Sequence, residues 1–206
     1  MTRTVFPPAI RSRPVYGVWE MRPGPAYLLI ADGAGAGAVR DLVAAAGDRA
    51  AAMLAVAHVL YLPGPDGFDD AGALQALGAA QFYRSPSFAA MLPRLRKVLA
   101  DAHMGVQIYL GGTEGLIGQA LCEVIEAGLP FSAVQTEHRG STVRRVQCVH
   151  CKGITEAVRT DPFACAHCGL HLFVRDHYSR RIAAFQGVNI DAEDPGKVPA
   201  AVERFR

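Results

Sequence analysis

From residue 25 to residue 138 the chain alternates short apolar runs with longer amphipathic ones, and no other feature restricts its fold as much. Ala26–Ala31 (AYLLIA) predicts a buried strand, 32–37 (DGAGAG) a glycine-rich turn, and Ala38–Ala46 a helix. The same order returns in Val56–Leu62 as strand, Asp69–Ala80 as helix and Ala80–Arg84 as a short strand. Phe88–Ala102 is the clearest helix, because Met91, Leu92, Leu95, Val98 and Leu99 fall on one stripe. Val106–Leu110 is a further strand, followed by GGTEG (111–115), a helix ending near Gly128, and a last strand, Phe131–Thr136. Strands separated by helices of this length require crossover connections, so the expected fold is α/β: an open parallel sheet of about five strands, covered on both faces.

Each of the two glycine-rich turns falls between a strand and the helix that follows it. Parallel sheets bind ligands outside the carboxyl ends of their strands, and glycine there lets a phosphate approach backbone amides and the helix dipole. Gly33, Gly35, Gly37, Gly111, Gly112 and Thr113 are therefore candidate nucleotide contacts. Tight turns need glycine in any case, so each motif alone is a weak signal.

The second chemical signal is compact. Cys148-Val-His-Cys151 and Cys165-Ala-His-Cys168 are two matched pairs with thirteen residues between them, and of the five cysteines only Cys122 lies elsewhere. A Cys-x-x-Cys turn aims two sulfurs at one point, and two such turns complete a tetrahedral thiolate cage for one zinc or one iron ion. Gly153 and Gly169 are expected to supply the permissive backbone. His150 and His167 within the turns are expected to point outward, and His58 and His103 to be structural.

The remainder of the sequence sets boundaries. The opening MTRTVFPPAIRSRP lacks an apolar core of signal-peptide length, and no apolar run approaches the roughly 20 residues of a membrane helix. A cytoplasmic location without a membrane partner is expected. Half of the 206 residues are apolar, enough for a core without disulfides, and a net charge of +2 gives no general case for nucleic acid. The expected organisation is an extended arm at 1–24, the α/β domain at 25–140, the metal domain at 141–186 and a tail at 187–206.

Taken together, AYLLIADGAGAGAV, VQIYLGGTEGLIGQAL and FSAVQTEHRG resemble the NAD(P)-binding half of the ferredoxin-reductase family, without its flavin barrel. TEHRG, CVHC, CAHCGLHLFVRDHYSRR and FQGV occur in the order found in the DmmA-type subunit of dimethylamine monooxygenase. That resemblance implies an accessory or electron-relay subunit that is not catalytic alone. Its implied partners are a haem-dependent demethylase subunit and a flavin and iron–sulfur reductase, which together use NADPH and oxygen to convert dimethylamine to methylamine and formaldehyde. Haem and flavin are expected on the partners and not on this chain. The Cys-Gly-Pro turn and the Thr-Pro loop end of the reductases are replaced by Leu110-Gly111-Gly112-Thr113 and Ala36-Gly37-Ala38, which implies weak NAD(P)H binding or none.

Arg139, Arg144, Arg145, Lys152, Arg175, Arg180 and Arg181 flank the cysteines in sequence. Arg144, Arg145, Arg175, Arg180 and Arg181 are expected to form a docking surface for an acidic partner beside the metal. The alternative is a structural zinc ribbon that contacts nucleic acid or another protein. Phe163, Phe173, Tyr178 and Phe185, however, are expected to pack the small core and not to stack on bases.

Overall fold

The computed structural model describes residues 12–64 and 66–206. The chain divides into two compact units, Tyr16–Thr142 and Val143–Arg206, with residues 12–15 grouped with the second.

The first unit contains β1 (Tyr27–Asp32), α1 (Ala36–Ala46), α2 (Ala50–Leu54), β2 (Ala57–Leu62), α3 (Ala71–Gln75), β3 (Gln81–Arg84), α4 (Phe88–Ala100), β4 (Gln107–Gly112), α5 (Glu114–Glu126) and β5 (Val134–His138). Its five strands lie in the order β3-β2-β1-β4-β5, all parallel. Alternation along β1 divides the core. Leu29 and Ala31 pack with Val39, Leu42, Met53 and Leu74 under α1–α3, whereas Leu28 and Ile30 pack with Met91, Leu95, Ile117 and Val124 under α4 and α5.

The expected helix at 69–80 is only Ala71–Gln75, because glycine recurs at 72 and at 78, where φ is +74° and the helix cannot continue. The last strand begins at Val134, after a 3-10 turn at Phe131–Ala133, so it carries Glu137 and His138 to the carboxyl edge. Residues 16–22 of the arm run beside β5: Gly17 donates to the Thr136 carbonyl, Trp19 N to Glu137, and Glu20 N to the Gln135 side chain. These bonds occupy an edge that would otherwise expose unpaired strand groups.

The second unit is built from β6 (Arg144–Cys148), β7 (Ile154–Val158), β8 (Thr160–Asp161), β9 (Phe163–Ala164), β10 (His171–Ser179), β11 (Ala184–Asn189) and β12 (Val202–Glu203). Five of these form a sheet in the order β7-β6-β11-β10-β9, in which only the β6–β11 pairing is parallel. Residues 187–206 hold the end of β11 and all of β12, which pairs with β8, and Phe205 is buried.

Candidate metal centre

The two cysteine turns share one hydrogen-bond pattern. In the first, Cys148 N donates to the Gly153 carbonyl and Lys152 N to the Cys148 carbonyl; in the second, Cys165 N donates to Leu170 and Gly169 N to Cys165. The residue four places after the leading cysteine is left-handed in both, Lys152 with φ +63° and Gly169 with φ +75°. Gly169 meets the expectation for a permissive backbone, but in the first turn the left-handed residue is Lys152 and not Gly153. Gly153 is glycine for another reason. A Cβ there would lie 2.4 Å from His167 Cδ2, and the His167 ring, which crosses from the other turn, bonds through Nε2 to the Ile154 carbonyl at 2.9 Å. His167 is thus a clasp between the turns.

This frame brings the sulfurs together. Cys148 Sγ lies 3.9 Å from Cys168 Sγ and Cys151 Sγ lies 3.7 Å from Cys165 Sγ, and all four fall within 4.8 Å of one another. A tetrahedron with metal–sulfur bonds of about 2.3 Å has edges of about 3.8 Å, so the quartet could hold one zinc or iron ion. No disulfide links these cysteines. Cys148 and Cys165 are buried at the ends of β6 and β9, whereas Cys151 and Cys168 are accessible to solvent. Cys122 lies on α5 and is not part of the quartet.

Cys165 and Cys168 are shifted in opposite directions. Burial disfavours the Cys165 thiolate, but the amides of Cys168 and His167 and the adjoining thiols outweigh it and bring Cys165 down to about 6. At Cys168 the Leu170 amide favours the thiolate, yet desolvation and three neighbouring sulfurs push it up to about 12. Cys165 thus ionises readily and Cys168 does not, and a cation among the sulfurs would favour the thiolate form of both.

The arginines are not where sequence proximity suggested. Arg144 is 6% exposed, its Nη1 2.6 Å from Asp176 and its guanidinium over the rings of Phe185 and Phe205 at 3.9 and 4.4 Å. Arg145 bonds to Glu156 and to the carbonyls of Ile182 and Ala183. Both therefore hold the sheet together and are removed from the docking set. Arg175, Arg180 and Arg181 are exposed. Cys168 lies three residues before β10 and Arg180 directly after it, and the nine residues of the strand span roughly 25 Å, so Arg180 and Arg181 occupy the end of the strand away from Cys168. Adjacency in sequence became separation in space because β10, irregular only between Arg175 and Tyr178, runs between them.

The glycine turns meet each other instead of opening. At the carboxyl ends of β1 and β4, a Cβ on Gly35 would sit 2.4 Å from the Gly111 carbonyl oxygen, and one on Gly112 would sit 1.9 Å from Asp32 Oδ1. Asp32 accepts from Thr113 N at 2.6 Å and from Thr113 Oγ1 at 2.5 Å. Burial raises Asp32 to about 6, opposed by these bonds and by His138. The Trp19 ring fills the space over Gly111. Gly33 packs on Gly64, and Gly37 lies inside α1 facing Arg139, which bridges Glu137 and Asp41. Sequence reasoning passed over Asp32 and Trp19, although an acid between strand and glycine turn and the chain's lone tryptophan in the arm were visible signals. His58 and His103 line a cavity of about 190 Å³ at the amino ends of the strands, and burial pulls His58 below its ordinary value.

Among solved structures, phthalate dioxygenase reductase is similar at 15% identity and a TM-score of 0.44, covering 69% of this chain and 46% of that one. The flavohaemoglobin-like FAD/NAD-binding domain of nitric oxide dioxygenase from Vibrio cholerae is similar at 15% identity and a TM-score of 0.42, covering 59% and 54%. The delta subunit of the heme-dependent oxidative N-demethylase of Ectopseudomonas mendocina is 33% identical over 110 residues, a match that spans 53% of this chain and 63% of that protein. Residues 8–134 match the N-terminal domain, and residues 145–188 the C-terminal domain, of the dimethylamine monooxygenase subunit DmmA-like family. The second match contains all four cysteines of the cage, and together the two cover most of both units, so the chain belongs to the dimethylamine monooxygenase subunit DmmA-like family.

Proposed function

We propose that this chain is the metal-bearing accessory subunit of a multicomponent, haem-dependent amine N-demethylase. The observation that carries the reading is the convergence of Cys148, Cys151, Cys165 and Cys168 on one point at tetrahedral spacing. It is supported by family membership and by the delta-subunit relative. In this reading the partners, a haem subunit and a flavin and iron–sulfur reductase, supply the chemistry by which NADPH and oxygen convert dimethylamine to methylamine and formaldehyde. The chain itself is not catalytic alone. A reducing cytoplasm would keep the quartet available for a metal. Among the described residues no helix is long and apolar enough to cross a membrane.

The cysteines would hold one ion. Zinc would supply a rigid, redox-inert cross-link between the turns, and iron a one-electron centre that opens to solvent through Cys151 and Cys168. Arg175, Arg180 and Arg181 would meet an acidic partner. The distance of Arg180 and Arg181 from the cysteines suits charge that orients the whole subunit, not charge that pins the metal to its partner. Phe163, Tyr178 and Phe185 are buried, which speaks against base stacking and a nucleic-acid role.

Reconstitution tests the proposal. Amine-dependent NADPH oxidation by the partner subunits should require this chain; full activity without it would overturn the reading. Elemental analysis and colour of the native protein separate the two metals. A red, reducible preparation assigns iron and electron relay, and a colourless zinc protein assigns assembly.

A further inference from the structure

We infer that the carboxylate of Asp32 is the resident anion of the crevice between β1 and β4 and excludes phosphate-bearing cofactors, so that the α/β unit works with its nucleotide site filled by its own side chains. The inference does not depend on which metal the cysteines hold.

In a parallel sheet of order β3-β2-β1-β4-β5 the direction of winding reverses between β1 and β4, and the turns leaving these strands lead to helices on opposite faces. That reversal is where an open sheet offers a ligand backbone amides and a helix N-terminus. Here the same groups are already engaged. The Thr113 amide and hydroxyl both donate to Asp32, the Thr113 oxygen accepts from Leu116 N, and Thr113 caps α5. A Cβ at Gly35 would lie 2.4 Å from the Gly111 carbonyl oxygen, so the two turns approach closely beside the Asp32 carboxylate.

Charge reinforces the closure. Asp32, Glu114 and Glu137 are buried on this edge of the sheet, at 7%, 7% and 4% exposure. Tyr16 donates to Glu114, while Arg139 bonds to Glu137 and Asp41 together. A dinucleotide would bring two further negative charges to this edge. It would also have to displace Trp19, whose ring rests on Gly111 and whose amide donates to Glu137. The glycines of both turns thus serve close contact within the chain, with the Gly64 and Gly111 backbone and with the Trp19 and Asp32 side chains.

Trp19 is the chain's lone tryptophan and reports directly on the crevice. The full chain is titrated with NADPH and with NADH, following Trp19 emission and, independently, calorimetric heat. The wild type is expected to show no saturable binding up to about 1 mM. Asp32→Gly removes the plug and is expected to bind NADPH at least tenfold more tightly than the wild type. Asp32→Asn keeps the side-chain shape and its hydrogen-bonding positions without the charge, guards against a glycine variant that fails to fold, and should give a smaller gain of the same sign. Saturation of the wild type at low micromolar NADPH would overturn the inference. So would variants with native circular dichroism and no gain in affinity.

Discussion

The cysteine turns and the glycine turns are both loops at strand ends in which groups distant in sequence are brought close together, yet they reach opposite outcomes. At the first, four like side chains converge on one point, and the arrangement could hold a cation from outside. At the second, one carboxylate meets an amide and a hydroxyl within the chain, and nothing further is needed. Convergence of groups that repel defines a site, whereas convergence of groups that complement defines a contact. Glycine content alone does not distinguish the two.

The largest effect should come from breaking the convergent case. Cys165→Ser is expected to lose most of the bound metal, read by elemental analysis, and with it the amide protection of β6, β10 and β11 in hydrogen exchange. Structural zinc sites of this kind are worth about 10 kcal/mol or more at neutral pH, so the second unit should not hold its fold without the ion. Cys122→Ser should retain a full equivalent of metal.

Arg144→Ala comes next. It leaves the Asp176 carboxylate without its buried guanidinium partner and opens the stack between Phe185 and Phe205, a change expected to cost about 3 kcal/mol. A shift of the denaturation midpoint confined to the second unit's transition would bear this out, and an unchanged midpoint would count against the buried pair.

In the complementary case, Gly112→Ala places a Cβ against Asp32 at a φ of +123°, and about 2 kcal/mol of stability should be lost from the first unit. Asp32→Gly in the same chain should recover part of that loss, because the clash is with the Asp32 carboxylate. Additive losses in the double variant would show that backbone strain, and not the carboxylate, sets the cost.

Asp32→Asn sharpens the comparison through pH. Asp32 titrates near 6 in the folded chain against an ordinary value of 3.8, so folding favours its neutral form. The corresponding stability is present below about pH 4 and is lost as pH rises through about 6. The variant should therefore be the more stable protein at pH 8, by on the order of 2 kcal/mol, and should match the wild type near pH 4. Thermal melts across that range decide it.

The smallest effect is in the backbone of the first cysteine turn. Lys152→Gly relieves a left-handed backbone at a position where the second turn already has glycine, and should add a few tenths to about 1 kcal/mol without changing metal content.

Much of this was legible in the sequence, for definite reasons. The five strands and the two-faced core follow from apolar periodicity, which depends on residues near one another in the chain. The quartet follows from spacing, because a Cys-x-x-Cys turn is local and two of them share one chemistry. What could not be read is what depends on direction after the chain has travelled. The separation of Arg180 and Arg181 from the cysteines depends on β10 being extended, and the roles of Asp32 and Trp19 depend on β1, β4 and β5 becoming neighbours. Similarly, nothing local tells whether Arg144 points toward solvent or between Phe185 and Phe205.

The strand β12 and its neighbours carry a consequence for biosynthesis. The first unit is one unbroken stretch, Tyr16–Thr142, and all its pairings are available once that stretch has left the ribosome. The second unit draws on both flanks. Ser12 donates to the Asp176 carbonyl and accepts from Tyr178 N, β12 pairs with β8, Arg204 reaches Asp161, and Phe205 covers Arg144. Since domains tend to fold in order as they emerge, the first unit is expected to resist protease on a stalled chain while the second stays cleavable until residues 202–205 are free. Metal loading would then wait on residues 202–205, and a ribosome-bound chain that held an ion before they emerged would contradict this order.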